Sequence, residues 1–315
     1  MNNSIHILCS ADDKYAPWCG IMLTSLFESN PGEKFVVFLL TAGFNKKNET
    51  EIQRLAQRYQ ADIRFVSINM ELLGGLSIRE GDTVSLATYF RLLAPRFLPQ
   101  DVDKVIYLDC DIIIDGSIRP LWESDIEGYA LGAVIDESFY KDELYERLDY
   151  PKQYFYVNAG VELFNLKYWR ENRCVERCLD CVFTHQEILT LYDQDAINKV
   201  LHREIKHIHP TWNFQHGFLL SWQYGYYTGE LKQQIDNCTH NPVIIHFDGR
   251  SKPWHKDSQH PYTSYFLYFK DRSLWKDTPL IGSFPLSERF KWARHYLVGW
   301  LGLRPTVFRI KKAKK

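Results

Sequence analysis

Two hydrophobic patterns alternate along the first half of the chain: short, almost wholly apolar runs, and longer stretches that are apolar on one face only. The short runs have the length of buried strands and cover residues 5–10, 34–42, 61–68 and 104–114. Between them, residues 46–59 have apolar side chains at helical spacing, a helix is predicted after Pro17, and residues 86–94 are predicted as a helix that stops at Pro95. Strands that alternate with helices predict an α/β domain with a mostly parallel sheet.

The second half of the chain is less regular but shows the same two patterns. Strands are predicted at residues 130–135, 156–166 and 243–247, and helices at residues 167–184 and 194–201. We find no internal repeat and no low-complexity block. The composition changes only near Leu286, where basic and aromatic residues begin to alternate. We therefore predict a domain of residues 1–285 followed by a separate segment of residues 286–315.

The charge of the chain is unevenly distributed. The whole sequence carries 38 Lys and Arg against 39 Asp and Glu. From Glu288 to Lys315, however, nine Lys and Arg stand against one Glu, which leaves the first 287 residues with a net charge of −9. An acidic body would repel a long polyanion, so no nucleic acid is expected as a partner, and RNA binding by the tail is the weaker alternative.

The basic C-terminal segment also carries large apolar side chains. Those side chains belong to Phe290, Trp292, Tyr296, Leu297, Trp300 and Leu301. Aromatic and leucine side chains suit the boundary between headgroups and acyl chains, and basic side chains suit anionic lipid. The segment therefore predicts peripheral association with an anionic membrane surface. The alternative is a docked C-terminal helix whose aromatic residues belong to the core.

The cysteines and the N-terminus bear on the compartment. Seven cysteines scattered over the chain do not suggest a disulfide framework and favour a reducing environment. The N-terminal residues have neither the basic nor the apolar region of a signal peptide. The longest nearly apolar run, residues 296–303, is shorter than the roughly 20 residues that span a bilayer. We expect a cytoplasmic protein, peripheral on the inner face of the cell membrane.

Three cysteines have the spacing of an iron–sulfur loop, and a histidine follows them. Cys174, Cys178, Cys181 and His185 also form a stripe along one face of a predicted helix. Eleven residues of helix extend about 16 Å, so one helix cannot wrap all four side chains around one metal. We therefore predict that these cysteines pack as small apolar residues on a buried helix face.

A pair of carboxylates stands in the apolar run at residues 104–114. Asp109 and Asp111 are two residues apart, so in a strand their side chains project on the same side. Two adjacent carboxylates repel each other unless a cation lies between them, and oxygen ligands suit magnesium or manganese. The alternative is a strand-end turn with two solvated acids. The usual glycine-rich phosphate-binding motifs are missing from the sequence, which argues against a dinucleotide or P-loop site.

The loop that follows the last predicted strand adds matching chemistry. His246 offers an imidazole ligand, which favours manganese over magnesium. Gly249 allows close approach of the backbone, and Lys252 is a point charge for phosphate. Each residue alone also has an ordinary explanation: a core histidine, a turn glycine and a surface lysine. Together with the two aspartates they predict a site for a metal and a diphosphate.

Four stretches of the sequence resemble, in the same order, those of the family 8 glycosyltransferases, the retaining nucleotide-sugar enzymes that include bacterial lipopolysaccharide galactosyl- and glucosyltransferases. The stretches are SADDKYAPW, YLDCDIIIDGSIRPLW, YVNAGVELFNLKYWR with DQDAINKVL after it, and HFDGRSKPWH. The resemblance covers roughly residues 4 to 260. It implies an α/β fold of the GT-A type, a Rossmann-like mixed sheet flanked by helices.

The resemblance also implies roles for individual residues. Asp109, Asp111 and His246 would bind Mn²⁺, with Mg²⁺ possible. Asp12 would hydrogen-bond the uracil, and Tyr15 would stack on it. The other residues assigned to the UDP-sugar donor are Ser10, Arg91, Cys110, Gly249 and Lys252. Catalytic roles fall to Asn158, Asp193 and Gln194 around the transferred sugar, with Gln194 beneath the anomeric carbon.

The expected function is a retaining hexosyltransferase that moves glucose or galactose from a UDP-sugar to a glycan or glycolipid acceptor such as lipopolysaccharide. Because Gln194 is a poor nucleophile, attack on the same face as the leaving group is favoured over double displacement through Asp193. Two other classes stay open: a non-catalytic membrane-bound nucleotide-sugar-binding protein and a nucleotidyltransferase. A pure binding protein would not need Gln194 together with the metal ligands. A nucleotidyltransferase usually has a glycine-rich basic N-terminal loop, which SADDKYAPW is not.

Overall fold

The structure is a computed structural model that describes residues 4–80, 82, 84–219, 224–249, 252–258, 260–282 and, in the C-terminal segment, 286, 287, 290, 293, 294, 297 and 301. The strands are β1 (Ile5–Ser10), β2 (Phe35–Thr41), β3 (Asp62–Ser67), β4 (Lys104–Leu108), β5 (Ile112–Ile114), β6 (Leu131–Ile135), β7 (Val157–Asn165), β8 (Ile205–His207) and β9 (Ile244–His246). The α-helices are α1 (Ala16–Ser29), α2 (Lys46–Tyr59), α3 (Phe90–Phe97), α4 (Arg119–Glu123), α5 (Asp142–Leu148), α6 (Leu166–Glu171), α7 (Cys174–Thr184), α8 (Tyr192–Leu201), α9 (Gly229–Cys238) and α10 (Thr263–Arg272). Short 3₁₀ helices lie at Met70–Leu73, Leu86–Tyr89, Lys152–Tyr154, Pro210–Trp212, His216–Leu219 and Tyr224–Tyr226.

A seven-stranded mixed sheet forms the centre of the molecule, in the strand order β3-β2-β1-β4-β7-β6-β8. Strands β1 to β4 pair in parallel, as do β6 and β8, whereas β7 runs antiparallel to both of its neighbours. Alternate residues enter two separate cores. In β1, Ile7 and Cys9 face one core and Leu8 faces the other. Burial on both faces explains why these strands are apolar runs, and the predicted α/β fold with a mostly parallel sheet is confirmed.

The helices follow the local signals of the sequence. In α2, the side chain of Asn45 accepts a hydrogen bond from the Asn48 N–H and caps the N-terminus. Only Ile52 and Leu55 of this helix are buried, so the helix lies at the surface with one apolar stripe facing the core. Left-handed Gln60, with φ 53°, ends the helix.

The predicted strand at residues 104–114 is wrong as a single element. It divides into β4, which belongs to the large sheet, and β5, which pairs with β9 in a separate two-stranded sheet. The chain crosses between the sheets at Asp109-Cys110-Asp111. Backbone bonds hold this crossing, because Asp109 N donates to Gly160 O at 2.9 Å and Phe247 N donates to Asp111 O at 2.9 Å.

Two predicted helices also differ from the structure. The helix expected at residues 86–94 is a 3₁₀ turn followed by α3, which continues past Pro95 because Leu98 N still donates to Ala94 O at 2.9 Å. The helix expected at residues 167–184 breaks at Arg173, whose φ of 52° is left-handed, so that α6 and α7 are separate helices.

The predicted stripe of cysteines lies on the buried face of α7. Cys174, Cys178 and Cys181 are buried in the core, whereas His185 caps the helix with an exposed side chain. All seven cysteines of the chain are free. The prediction of apolar packing is confirmed. Among the described residues, no helix combines the length and the apolar character needed to cross a membrane.

Candidate functional site

The candidate site lies at the crossing between the two sheets. Asp109 follows the carboxyl end of β4, next to the carboxyl end of the parallel strand β1. The antiparallel pairing of β5 with β9 sets Ile112 opposite His246 and so brings the imidazole to the two aspartates. In an α/β sheet, ligands bind at this edge, where side chains from several strands converge.

Asp109, Asp111 and His246 form a group that is able to hold a metal ion. One ligand atom from each of the three residues lies within 4.8 Å of the others. His246 is buried, and its Nε2 lies 3.3 Å from Asp111 Oδ1. Two carboxylate oxygens and one imidazole nitrogen suit a divalent cation of the manganese or magnesium type. The structure therefore brings together the three residues that the sequence predicts as ligands.

A chain of amides fixes which ring nitrogen of His246 faces the aspartates. The carboxylate of Asp136 can only accept, so it takes a bond of 3.0 Å from Asn158 Nδ2. Asn158 Oδ1 then accepts from Asn213 Nδ2 at 2.8 Å. Asn213 Oδ1 is left to accept from His246 Nδ1 at 2.9 Å. Nε2 therefore points at Asp111, as a metal-binding histidine requires.

Lys252 also faces Asp111 in this structure. Its Nζ lies 2.5 Å from Asp111 Oδ2 and also donates to Phe247 O at 2.8 Å. Burial raises the pKa of Asp111, but the charges of Lys252 and His246 outweigh it, so the pKa lies below its usual range. Burial lowers the pKa of His246, and Asp111 more than reverses that effect. Asp111 is thus ionised and ready to accept a cation.

Arg91 connects the metal group to the predicted sugar site. It is buried, with Nη2 2.7 Å from Asp109 Oδ1 and Nε 2.8 Å from Asp193 Oδ2. Its guanidinium lies over the ring of Tyr107, 4.0 Å from the centroid. Burial lowers the pKa of Arg91, but Asp109 and Asp193 raise it well above its usual value. Arg91 therefore remains a cation, placed between two carboxylates that would otherwise repel each other.

A third carboxyl group lies near Arg91. Glu162 on β7 is fully buried, and neither of its oxygens has a hydrogen-bond partner among the described residues. Its Oε2 lies 3.7 Å from Arg91 Nη1, longer than a hydrogen bond. Burial raises the pKa of Glu162 well above its usual value, although Arg91 opposes the shift. Burial of Glu162 therefore favours its neutral form.

Gln194 is held at both ends of its amide. Its Oε1 accepts from Ala159 N at 2.9 Å. Its Nε2 donates to Tyr156 Oη at 3.1 Å and to Asp136 Oδ2 at 3.2 Å. The side chain comes from the first turn of α8 and is fixed against β7 and the end of β6. Such a group is preorganised for contact with a ligand.

Asp193, beside Gln194, is buried and fully engaged. One oxygen accepts from Thr88 Oγ1, and the other pairs with Arg91. Burial raises the pKa of Asp193 to about 6, against the opposing effect of Arg91. The carboxylate therefore orients Arg91 and has no oxygen free of a partner.

Two cavities that share a wall form one groove at this site. The smaller, of about 110 Å³, and the larger, of about 470 Å³, are both lined by Arg91, Asp109, Asp111 and Lys252. Further residues predicted to contact the nucleotide line the smaller cavity: Ser10, Asp12, Tyr15 and Cys110. Further predicted residues that line the larger cavity are Asn158, Asp193, Gln194, His246 and Gly249. The larger volume is in the range of small-ligand sites.

The sequence does not predict the roles of several residues at this site. Asn213 contacts the histidine directly, Asp136 acts on it through Asn158 and Asn213, and Tyr107 supports Arg91. Asp136 directly follows β6, so its position at the carboxyl end of a strand is the one signal that sequence reasoning had available. Asn213 has no such signal, because it lies between a 3₁₀ turn and an irregular stretch.

Comparison with known proteins places the chain among glycosyltransferases. The sequence model of Glycosyl transferase family 8 matches residues 6–258. General stress protein A of Bacillus subtilis is 26% identical over 275 residues, which cover 86% of this chain and 94% of that protein. Lipopolysaccharide 1,2-glucosyltransferase of Escherichia coli K12 is 26% identical over 302 residues, or 93% and 86% of the two chains. The crystal structure of galactosyltransferase LgtC with donor and acceptor sugar analogs matches 91% of this chain and 100% of that one, with a TM-score of 0.77 and 26% identity.

Proposed function

This chain belongs to glycosyltransferase family 8, and from that premise we propose that it transfers glucose or galactose from a UDP-sugar to a glycan acceptor with retention of configuration. The observation that carries the proposal is one groove that holds both a cation-binding group, at Asp109, and a fixed amide, at Gln194. A nucleotide sugar needs both, because its diphosphate must be neutralised while its sugar is held for attack.

The donor would lie along the groove from the smaller cavity to the larger. In this arrangement the uracil lies at Asp12 and Tyr15, and the diphosphate lies between the two aspartates and Lys252. The Tyr15 ring packs edge-on against Trp254, with 6.0 Å between the ring centroids, which holds one edge of the nucleotide end in place. The transferred sugar then falls beside Gln194 and Asn158 in the larger cavity.

Asp109, Asp111 and His246 would hold the divalent cation, and the imidazole favours Mn²⁺ over Mg²⁺. When bound, such a cation neutralises the charge that develops on the diphosphate leaving group. Lys252 then has a second role. Since its ammonium already neutralises Asp111 in this structure, it would be free to pair with phosphate once a cation takes its place.

The acceptor hydroxyl would attack on the face that the diphosphate leaves. Double displacement requires a nucleophilic carboxylate at the anomeric carbon. Asp193 is a poor candidate, because both of its oxygens are engaged by Thr88 and Arg91. Gln194 is held by three hydrogen bonds and is better suited to orient the sugar than to form a covalent bond with it.

The acceptor would be a lipid-linked glycan presented at a membrane. A relative named as a lipopolysaccharide glucosyltransferase supports this class of acceptor. The domain of residues 1–285 would then be held reversibly on the inner leaflet by the segment 286–315, most of which lies outside the described residues. The described large side chains of that segment, Leu286, Phe290, Leu297 and Leu301, are each more than half exposed. That exposure favours a lipid-facing apolar side over packing in the core.

Hydrolysis of UDP-glucose and UDP-galactose without acceptor tests the donor and metal assignments. Turnover should be lost with chelator and restored best by Mn²⁺. Asp109→Asn or Asp111→Asn should lower turnover about 100-fold or more, because a metal clamp contributes several kcal/mol. Asp115→Asn, at the far, exposed end of β5, is the matched control and should hydrolyse at the native rate. Near-native turnover in both test variants would contradict the ligand assignment.

Sedimentation with liposomes tests the membrane proposal. A chain shortened to end at Pro285 should remain folded, keep hydrolysing the UDP-sugar and stop sedimenting with anionic liposomes. Each basic residue near such a surface contributes about 1 kcal/mol, so binding of the full chain should weaken as salt is raised. If the shortened chain unfolds, or still sediments, the segment is structural and the membrane proposal is wrong.

A further inference from the structure

Two aromatic pairs lie next to the sugar end of the groove. The segment after β6 lines the larger cavity with Ser138 and Lys141 and carries two aromatic residues between them. Of these, Tyr140 stacks face to face on Tyr226, with ring centroids 3.9 Å apart and planes at 2°. The neighbouring pair, Phe139 and Tyr227, has centroids 6.0 Å apart and planes at 19°. Phe139 and Tyr140 therefore adjoin the wall of the cavity, between two residues that line it.

The base of these stacks is firmly anchored. Tyr227 is buried, and its hydroxyl lies 3.5 Å from Glu137 O. Phe139 N donates to Asp136 O at 3.1 Å, and Phe139 O accepts from Tyr145 Oη at 2.6 Å. Asp136, which holds Gln194 from the other side, thus also fixes the turn that presents the aromatic residues. The position of Tyr140 is set by the same residues that set the catalytic groove.

Tyr226 is the accessible member of the pair. Its side chain is 53% exposed, and one ring face is covered by Tyr140. The exposed part is therefore the outer face, a flat apolar surface with a hydroxyl at its edge. A polar rim lies on the Tyr140 side of the pair, where Lys152 pairs with Asp142 at 2.6 Å and donates to the Tyr140 carbonyl at 2.9 Å. A rigid aromatic face beside such a rim suits a sugar ring better than an acyl chain.

The position of this wall along the groove indicates which sugar it would contact. The nucleotide end lies at Asp12, and the transferred sugar is assigned to Gln194. Ser138 and Lys141 line the larger cavity together with Gln194, whereas Asp12 lines the smaller cavity. A glycan that enters the larger cavity past this wall would reach Gln194 with its terminal residue, and its next residue would lie near Tyr140.

We propose that the outer face of Tyr226, backed by Tyr140, is a subsite for a pyranose ring of the acceptor, next to the residue that receives the hexose. The ring would stack with its C–H face on the tyrosine, and its hydroxyls would point to the polar rim. The proposal rests on the proposed function for the identity of the groove, but it concerns only the acceptor side. It predicts that the chain binds a disaccharide acceptor more tightly than a monosaccharide.

Saturation-transfer NMR with two probe glycans tests this subsite. Methyl β-galactoside and lactose are titrated into the native chain and into Tyr226→Ala, Tyr226→Phe and Tyr129→Ala. Tyr226→Ala removes the ring and should weaken lactose binding roughly 5- to 10-fold, which is the value of one aromatic contact. Lactose should then bind no more tightly than the monosaccharide. Tyr226→Phe should keep native affinity because it keeps the ring. Tyr129→Ala removes a partly exposed tyrosine elsewhere and should bind as the native chain does.

The outcomes separate this proposal from the proposed function. UDP titration of each variant reports whether the groove is intact. Equal lactose binding by Tyr226→Ala and the native chain, equal losses in Tyr226→Phe and Tyr226→Ala, or no binding of either probe to the native chain would each overturn the subsite. Failure of the native chain to hydrolyse any UDP-sugar would instead overturn the proposed function, and the glycan titrations would still measure the subsite.

Discussion

Gly160 on β7 lies directly against the imidazole of His246. A Cβ at position 160 would be 2.2 Å from Cε1, 2.7 Å from Nδ1 and 2.9 Å from Nε2 of the histidine. No side chain fits at these distances, so the ring occupies the space that a side chain would need. His246 can therefore occupy this position only because residue 160 is glycine.

Gly160→Ala should displace the His246 ring and weaken Mn²⁺ binding. Metal sites with a disturbed orientation of one ligand lose roughly 10- to 100-fold in affinity. Titration of Mn²⁺ followed by electron paramagnetic resonance measures the loss directly. Gly225→Ala is the control, because a Cβ there meets nothing within 4 Å. Native Mn²⁺ affinity in Gly160→Ala would show that His246 is not a ligand.

Gln194→Ala should lower turnover about 100-fold while the affinity for UDP stays within a few-fold of native. The amide is expected to contact the sugar, where interactions count mainly in the transition state. Single-turnover hydrolysis and UDP titration are measured on the same preparation. A parallel loss of UDP binding and rate would place Gln194 at the nucleotide instead of the sugar.

The fall in turnover on the acid limb of the pH–rate profile should reflect protonation of Asp193. Burial raises its pKa to about 6, so the carboxylate that orients Arg91 is protonated below that pH. Turnover should then fall roughly tenfold for each further pH unit. Asp193→Asn should be slower at neutral pH and lack this limb. If its residual activity keeps the same limb, another group is responsible for the native profile.

Glu162→Gln should stabilise the folded chain at high pH. Burial raises the pKa of Glu162 in the folded state above its unfolded value, so the folded chain holds a proton that the unfolded chain releases. The stability that this group contributes is complete below about pH 4.5 and is lost as the pH rises towards the folded pKa. The advantage of the glutamine variant in denaturant unfolding should therefore grow with pH, by up to about 1.4 kcal/mol per unit.

A matched control for this pH dependence is Glu33→Gln. Glu33 pairs with Arg119, and the hydrogen bond from that guanidinium lowers the pKa of Glu33. Its contribution to stability is therefore present above its unfolded pKa and is lost as the pH falls through the folded value. Glu33→Gln should be less stable than the native chain at neutral pH, with a difference that shrinks in acid. The same behaviour in Glu162→Gln would mean that Glu162 is ionised and paired with Arg91.

The parts of the fold that sequence predicts are those in which burial alone dictates the pattern. Strands β1 and β2 are buried on both faces, so each must be an apolar run. The same reasoning fails at residues 104–114, because apolar character does not tell which sheet each half of a run joins. It also fails at Arg173, where the chain leaves the helix although the side-chain pattern continues.

The parts of the site that sequence predicts are those with a recognisable chemical grouping. Asp109 and Asp111 form a motif, and His246 follows an apolar strand within a charged loop. Asn213 and Glu162 are single polar residues, and the role of each depends on a neighbour far away in sequence. Asn213 orients His246 only through a contact across 33 residues, which no local pattern encodes.

Because β5 pairs with β9, the site around Asp111 can be completed only after the C-terminal part of the domain has been synthesised. Lys252 follows its partner Asp111 by 141 residues, and His246 arrives only shortly before it. While the ribosome is still translating the intervening residues, the carboxylate of Asp111 has neither of these counter-charges, although the first strands of the large sheet have already emerged. A chain that is released early would therefore hold an acidic, half-assembled edge without the strand that covers it. Such products should be inactive and should be preferred targets for cellular proteases.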